Sequence, residues 1–319
     1  MPLIKRSSYP GPPFYQFNGH LQTILPAFRK IQVIPYERER IELPDGDFLD
    51  LDWIDCSSRQ LVILTHGLEG NSNRIYIKGM AKAFAEQDWD VIAWNCRSCS
   101  GEMNRNLRLY NHGEIGDIGA VIQHALATKD YEEIILIGFS MGGSISLKYG
   151  GVNAAVMPSV ISKIMAFSTP VDLGSSVCLL DQAQNAFYRK RFLRSLGKKL
   201  VEKDRQFPGV IEVSNLKKIK QWTDFDEFFS APLNGYANAQ DFYTKASAIN
   251  YMGDIRIPAL LVNAKNDPIL SKECYPESFC ETHPFIYLEQ PKHGGHVGFS
   301  LANSEYSWSE IRALEFVLL

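Results

Sequence analysis

No apolar stretch of this chain reads as the roughly 20-residue span a membrane-crossing helix needs; runs such as Leu61–Leu64 and Ile134–Ile137 are strand-length. A cationic excess is missing too. With 33 Lys and Arg against 36 Asp and Glu, the formal charge is −3, which leaves no global positive field for a phosphate backbone and argues against nucleic acid as a partner. Cysteine is sparse: Cys56, Cys96, Cys99, Cys178, Cys274 and Cys280 are scattered without the density of a disulfide-stapled scaffold, so reduced thiols are expected. Cys96-x-x-Cys99 has no second pair with which to complete four zinc ligands. The N-terminal stretch Met1–Pro13 has Lys5 and Arg6 followed by prolines, with no apolar h-region, which speaks against a secretory signal and for a cytoplasmic protein. Internal repeats and low-complexity tracts are absent as well.

What remains is an ordinary globular composition, 45% hydrophobic and 22% charged over 319 residues, enough for one substantial core. Between residues 60 and 150, short apolar runs alternate with longer amphipathic stretches, the pattern of βαβ units on a parallel sheet. Strands are expected at Leu61–Thr65, Val91–Trp94, Ile134–Ile137, Lys163–Phe167, Ala259–Asn263 and Phe285–Glu289. Helices are expected at Ile75–Gln87, Ile115–Thr128, Gly142–Tyr149 and Glu305–Leu318. Upstream, Gln32–Tyr36, Arg40–Leu43 and Phe48–Ile54 alternate around the turn Pro44-Asp45-Gly46, which suits antiparallel strands at a sheet edge. The alternation breaks between about Asp172 and Tyr243, so residues 1–171 and 244–319 read as a catalytic domain and 172–243 as an irregular cap insertion. Within the insertion, Arg189, Lys190, Arg191, Arg194, Lys198, Lys199, Lys203 and Arg205 read as a solvated helix face, with docking onto anionic lipid or a fatty-acid carboxylate as the functional alternative. The insertion's aromatics (Phe187, Tyr188, Phe192, Trp222, Phe225, Phe228 and Phe229) are either ordinary packing or the wall of an acyl pocket.

Chemistry concentrates at Gly138-Phe139-Ser140-Met141-Gly142, after an apolar strand and before a helix. Glycines two residues either side leave room for the tight turn that would carry Ser140 as nucleophile. A serine hydroxyl needs a base, and the base needs a carboxylate to orient it. Chain order in such sites runs serine, acid, histidine, and Asp267, just past Ala259–Asn263, fits the second place. Both His293 and His296 fit the third. His296 is preferred because Gly294-Gly295 lets a close-packed loop present it; a two-histidine metal site is the rival and lacks an obvious third ligand. Backbone N–H groups of Met141 and Leu68 are the expected oxyanion donors, with His66 holding the second loop. Gly138–Gly143 has the glycine spacing of a nucleotide loop, but Ser144 stands where its lysine would be.

These residues together resemble the YheT-like branch of the α/β-hydrolase superfamily, the AB-hydrolase-4 group of esterases and acylglycerol or phospholipid lipases. The resemblance is carried by Asn18-Gly19-His20-Leu21-Gln22-Thr23-Ile24, His66-Gly67-Leu68-Glu69-Gly70, Cys99-Ser100-Gly101-Glu102, the Ser140 turn, Ala231-Pro232-Leu233 and Gly294-Gly295-His296-Val297-Gly298-Phe299. It implies an α/β-hydrolase fold with the charge relay on Ser140, Asp267 and His296. Two positions depart: Ser98, where the family usually has glycine, and Asn266, where aspartate is common. The expected activity is cleavage of small acyl or lipid esters through an acyl-enzyme, without a cofactor or metal. An amidase, thioesterase, lyase or acyltransferase would use the same residues, and a binding protein on the same scaffold is the non-enzymatic alternative.

Overall fold

The computed structural model describes residues 3–319, so the first two residues of the Met1–Pro13 segment and of the 1–171 unit lie outside the described residues. Nine strands among the described residues form one sheet: β1 (Leu3–Ile4), β2 (Glu37–Glu42), β3 (Phe48–Ile54), β4 (Gln60–Thr65), β5 (Asp90–Asn95), β6 (Glu133–Phe139), β7 (Ile161–Phe167), β8 (Ala259–Val262) and β9 (Ile286–Glu289). Their order is β1-β9-β8-β7-β6-β4-β5-β3-β2. All neighbours are parallel except β3 with β5 and β2 with β3. The mixed sheet expected from the hairpin is therefore present. Its strands are shifted, however: Gln32–Tyr36 forms none, and pairing starts at Glu37. Pro35 has no N–H to give to a ladder, which fits the late start.

The interior strands β4, β6 and β8 are apolar on both faces because each face is covered. One core cluster joins alternate strand residues such as Leu61, Ile63, Leu136 and Leu261 to helices α3 (Gly116–Thr128) and α4 (Met141–Val152). The opposite cluster joins Val62, Leu64, Ile137 and Val262 to α2 (Ile75–Ala85) and the C-terminal helix Trp308–Val317. The edge strand β2, Glu-Arg-Glu-Arg-Ile-Glu, is charged, and Arg38 and Arg40 each pair at 2.7 Å with buried Asp52 and Asp50 of β3. Such an edge discourages pairing with another chain.

The β2–β3 turn is fastened by Arg97, whose guanidinium meets Asp45 and Asp47 at 2.8 Å each and takes Asp117 in a fork at 2.7 and 2.9 Å. Arg97, Asp47 and Asp117 are buried. Replacing Arg97 by leucine is expected to cost about 3–5 kcal/mol, because two buried carboxylates lose their countercharge; urea unfolding measures it. Ser98 follows with φ 64°, so its backbone is left-handed, the conformation that glycine adopts without strain. This accounts physically for the glycine usual at that position, not for the serine that replaces it.

The segment read as irregular is helical. Between β7 and β8 lie α5 (Leu173–Leu180), α6 (Ala186–Gln206), short turns, α7 (Trp222–Phe225), α8 (Ala231–Leu233) and α9 (Ala239–Ala246). They close on a core of their own that includes Leu196, Leu200, Trp222, Phe225, Phe229 and Phe242. Reading the basic stretch as a solvated face needs correcting for part of α6. Lys203 is buried and donates to the carbonyls of Asn104 and Asn106; Lys199 meets Glu69 at 2.7 Å; Arg189 donates to the carbonyl of Asp181 at 2.6 Å. Lysines and arginines reach inward where carbonyls and carboxylates wait for them, which spacing alone does not reveal.

Inside this helical core, burial pushes the carboxyl of Asp226 up to about 7 from 3.8, with Tyr243 Oη at 2.8 Å. The folded state thus holds this proton more tightly than the unfolded chain does. Its contribution to stability is fullest below about pH 4 and is lost as pH rises through about 7. Asp226→Asn is expected to remove that decline, with the gain over wild type largest above neutrality; melting temperatures across pH test it.

Candidate active site

Ser140 stands between β6 and α4 with φ 54° and ψ −119°, a backbone conformation that L-residues adopt only when their surroundings impose it. The glycines around it are demanded by contact. A Cβ on Gly138 would lie 2.1 Å from the Gly142 carbonyl oxygen, and one on Gly142 would lie 2.2 Å from that of Thr65. β6 and α4 can therefore meet in a turn this tight only without those side chains.

His296 Nε2 lies 2.9 Å from Ser140 Oγ, and its Nδ1 lies 2.8 Å from Asp267 Oδ2. Asp267 has no side-chain exposure, and its other oxygen accepts the Ile269 N–H at 2.9 Å. The serine, the acid and the second of the two candidate histidines are thus brought together in one chain of hydrogen bonds. His293 does not join it.

The loop bearing His296 is held by residues near the N-terminus. Helix α1 (Gly19–Ile24), capped by Asn18, puts Gln22 and Thr23 against it. Gln22 Oε1 accepts the Gly294 N–H and the Asn266 amide, both at 2.8 Å, while Thr23 Oγ accepts the His296 N–H at 2.9 Å. Asn266 in turn accepts the Gly295 N–H at 3.1 Å. Asn266 thus uses its amide as both donor and acceptor, and a carboxylate would have no proton for Gln22. Gly298 fits because a Cβ there would lie 1.9 Å from the Gln22 carbonyl oxygen. The α1 segment carried part of the family resemblance, but nothing in its spacing announced these contacts.

After β4, the Gly67–Gly70 loop abuts the serine: a Cβ on Gly67 would sit 3.1 Å from that of Ser140. Burial lowers the pKa of His66 to about 4, so the ring is neutral. Its Nε2 accepts the Cys96 N–H at 3.1 Å and its Nδ1–H donates to the Gly67 carbonyl at 2.7 Å, which pins the loop. Gly67 N–H donates to Tyr76 Oη at 3.1 Å, and Glu69 N–H to Tyr110 Oη at 2.8 Å. Among the described residues, the N–H groups of Leu68, between them, and of Met141 have no hydrogen-bond partner. Unspent donors beside a serine are what a developing oxyanion requires.

Glu69 also ties the loop to α6. Its carboxylate takes Lys199 at 2.7 Å, Tyr110 at 2.6 Å and Ser195. Burial opposes its ionised form, but Lys199, Ser195 and Tyr110 outweigh that and hold its pKa below the usual carboxylate range. A cavity of about 590 Å³ reaches Ser140 and His296 and is lined by Thr23 and Ile24 of α1, by Phe28, and by Tyr188, Phe192, Arg191, Arg194 and Lys198 of α6. Of the insertion's aromatics, Trp222, Phe225 and Phe229 pack inside the helical core, whereas Phe187 and Phe228 are exposed. Cys96 and Cys99 are buried free thiols; among the described residues, no group of three or more His, Cys, Asp or Glu is placed to hold a metal ion.

Comparison with known proteins agrees with this architecture. The α/β-hydrolase fold family model matches residues 60–302. "Putative esterase YheT" of Escherichia coli (strain K12) is 32% identical, over 88% of this chain and 84% of its own length. "Phospholipase ABHD3" of Mus musculus is 28% identical over 93% of this chain and 74% of its own, and "Monoacylglycerol lipase" of Saccharomyces cerevisiae 26% over 91% and 76%. Among solved structures, the Pyrococcus furiosus esterase Pf2001 superposes with a TM-score of 0.60 at 20% identity, covering 89% of this chain and 90% of that one. Likeness at that identity is one of fold. With the family model spanning most of its length and a 32%-identical relative covering 88% of it, the chain belongs to the α/β-hydrolase family, in its YheT-like group.

Proposed function

We propose that this protein hydrolyses carboxylic esters through a Ser140–His296–Asp267 triad. The observation that carries the reading is the unbroken hydrogen-bond chain from Ser140 Oγ through His296 to a buried Asp267. In this mechanism Ser140 Oγ attacks the ester carbonyl while His296 Nε2 takes its proton. Asp267 keeps the Nδ1 proton in place and balances the charge the imidazole acquires. The unspent N–H groups of Leu68 and Met141 receive the oxyanion. As the carbon–oxygen bond breaks, the His296 proton goes to the departing alcohol; water then attacks the acyl-enzyme with His296 again as base. The names of the relatives, an esterase, a phospholipase and a monoacylglycerol lipase, support acyl or lipid esters as the substrate class. Residues 172–243 serve in this reading as a cap whose helix α6 walls the acyl-binding cavity.

The test is labelling with a fluorophosphonate, followed by peptide mapping. Label on Ser140 in the wild type and none in Ser140→Ala is the expected result; a folded wild type that takes no label would sink the proposal.

The α1 buttress adds a second prediction. Gln22→Ala and Thr23→Val remove no reacting group but loosen the loop that presents His296. Hydrolysis of a p-nitrophenyl ester is expected to fall on the order of 10- to 100-fold, mostly in kcat, because small misplacements of a base are costly. A melting temperature that stays within a few degrees of wild type separates positioning from unfolding.

A further inference from the structure

Charge is segregated at the mouth of the Ser140 cavity. No carboxylate side chain occurs between Leu3 and Tyr36, or between Ala186 and Val201 of α6, in a chain with 36 acidic residues and a net charge of −3. Both segments line the cavity, and they touch where His20 Nδ1 meets Tyr188 Oη at 3.1 Å. On α6, Arg189 and Lys199 are spent on internal partners. Lys190, Arg191, Arg194 and Lys198 are exposed and, among the described residues, have no ion-pair partner. Arg191, Arg194 and Lys198 also line the cavity.

The same two segments expose large aromatics. Phe14 is 93% exposed, Phe17 77%, Phe28 76% and Phe187 59%. Phe28 lines the cavity, Phe187 adjoins Tyr188 on its wall, and Phe14 and Phe17 lead into α1. Single exposed apolar residues are commonplace, but four exposed phenylalanines on the two carboxylate-free segments that line one cavity, one of which also carries the unpaired cations, are not. Aromatic side chains for the headgroup boundary and cations for anionic lipid are the two components of a surface that lies on a bilayer.

We propose that this rim docks the protein onto an anionic phospholipid bilayer, with the cavity mouth against the lipid. A bilayer suits the rim better than a protein partner does, because the unpaired cations lie on a stretch of α6 without a carboxylate and the phenylalanines of both segments are exposed. The inference concerns binding alone and does not need the triad reading, although together they bring Ser140 to lipid esters at the surface.

The experiment is flotation with phosphatidylcholine vesicles made with and without phosphatidylserine, for the wild type, for Lys190→Gln/Arg191→Gln/Arg194→Gln, and for Phe14→Ser/Phe17→Ser. Wild type is expected to float with the anionic vesicles and to be released by high salt, since screening shortens the reach of such charges. The cationic triple is expected to weaken partitioning about a hundredfold, about fivefold for each charge removed. The aromatic pair is expected to weaken it on both vesicle types. Unchanged melting temperatures show that the variants fold, and fluorophosphonate labelling in parallel reports on Ser140 independently. A wild type that labels but floats with neither vesicle overturns the docking proposal and leaves the triad standing. Flotation undiminished in both variants overturns it too, as does concentration-dependent self-association lost in the aromatic pair without any vesicle binding.

Discussion

His296→Ala is expected to lower kcat for ester hydrolysis on the order of 10⁶-fold, the largest effect of any single change in this protein. Among the described residues, only His296 contacts both Ser140 Oγ and the buried carboxylate, at 2.9 and 2.8 Å, so in the proposed mechanism its loss takes away base and acid together. The effect should nearly equal that of Ser140→Ala, and the double variant should lose little more, because members of a relay act as one unit. A residual rate above the uncatalysed one is expected in each, from the oxyanion donors and binding alone. His293→Ala serves as the control. Although only three residues away, half-buried His293 is bonded to neither partner, and its removal is expected to leave kcat within about twofold of wild type, because it takes no part in the proposed relay. Steady-state kinetics on the wild type and all four variants decide the matter; a His293 variant as damaged as the His296 variant would reverse the assignment.

Why some of this was legible in the sequence and some was not follows from the range of the forces involved. The turn at Ser140 depends on backbone approach within a few residues, so Gly138 and Gly142 record it locally. The parallel strands are buried on both faces, and continuous apolar runs such as Ile134–Ile137 mark them. Asp267 and His296 could be singled out because fold connectivity delivers the ends of β8 and β9 to the same sheet edge as β6. By contrast, Gln22 and Thr23 act across more than 240 residues on groups that are mostly backbone, and a backbone N–H leaves no trace in residue type. Helix α6 was concealed differently. Its lysines and arginines suggest solvent on every side, yet Lys203 is fully buried because unsatisfied carbonyls of the 104–106 loop attract it. Residue type announces a charge; only the tertiary structure shows which of eight neighbouring cations have been spent.

Those spent cations also connect the parts of the site. Lys199 and Ser195 hold Glu69, the residue after Leu68, so α6 and the loop bearing one unspent N–H are fastened to each other. Tyr110 fastens the same residue twice, through its backbone and its carboxylate. On the other side, α1 fastens the His296 loop. The cavity is therefore bounded by two elements that each hold in place a loop of the proposed site, rather than by loops left to solvent. That arrangement is what preorganised donors need in order to act without reorganising during the reaction.

Asp267→Asn is the sharper probe of the relay, because it changes hydrogen-bond direction and charge while keeping shape. In the wild type, Asp267 Oδ2 can only accept, so it holds the proton of His296 on Nδ1 and leaves Nε2 free to take one from Ser140. Its other oxygen is occupied by the Ile269 N–H. An asparagine keeps that bond by placing its carbonyl toward Ile269, which turns its NH₂ toward His296 and favours the proton on Nε2 instead. The imidazole then offers Ser140 a donor where a base is needed. A loss of about 10⁴-fold in kcat is expected, with KM little changed, since this bond sets the proton on His296 rather than holding the substrate. Because Asp267 is buried and the replacement has nearly the same volume, the protein should remain folded. Loss of fluorophosphonate labelling rate in parallel with kcat would place the defect in activation of Ser140, whereas normal labelling with low turnover would move it to the water-dependent second step.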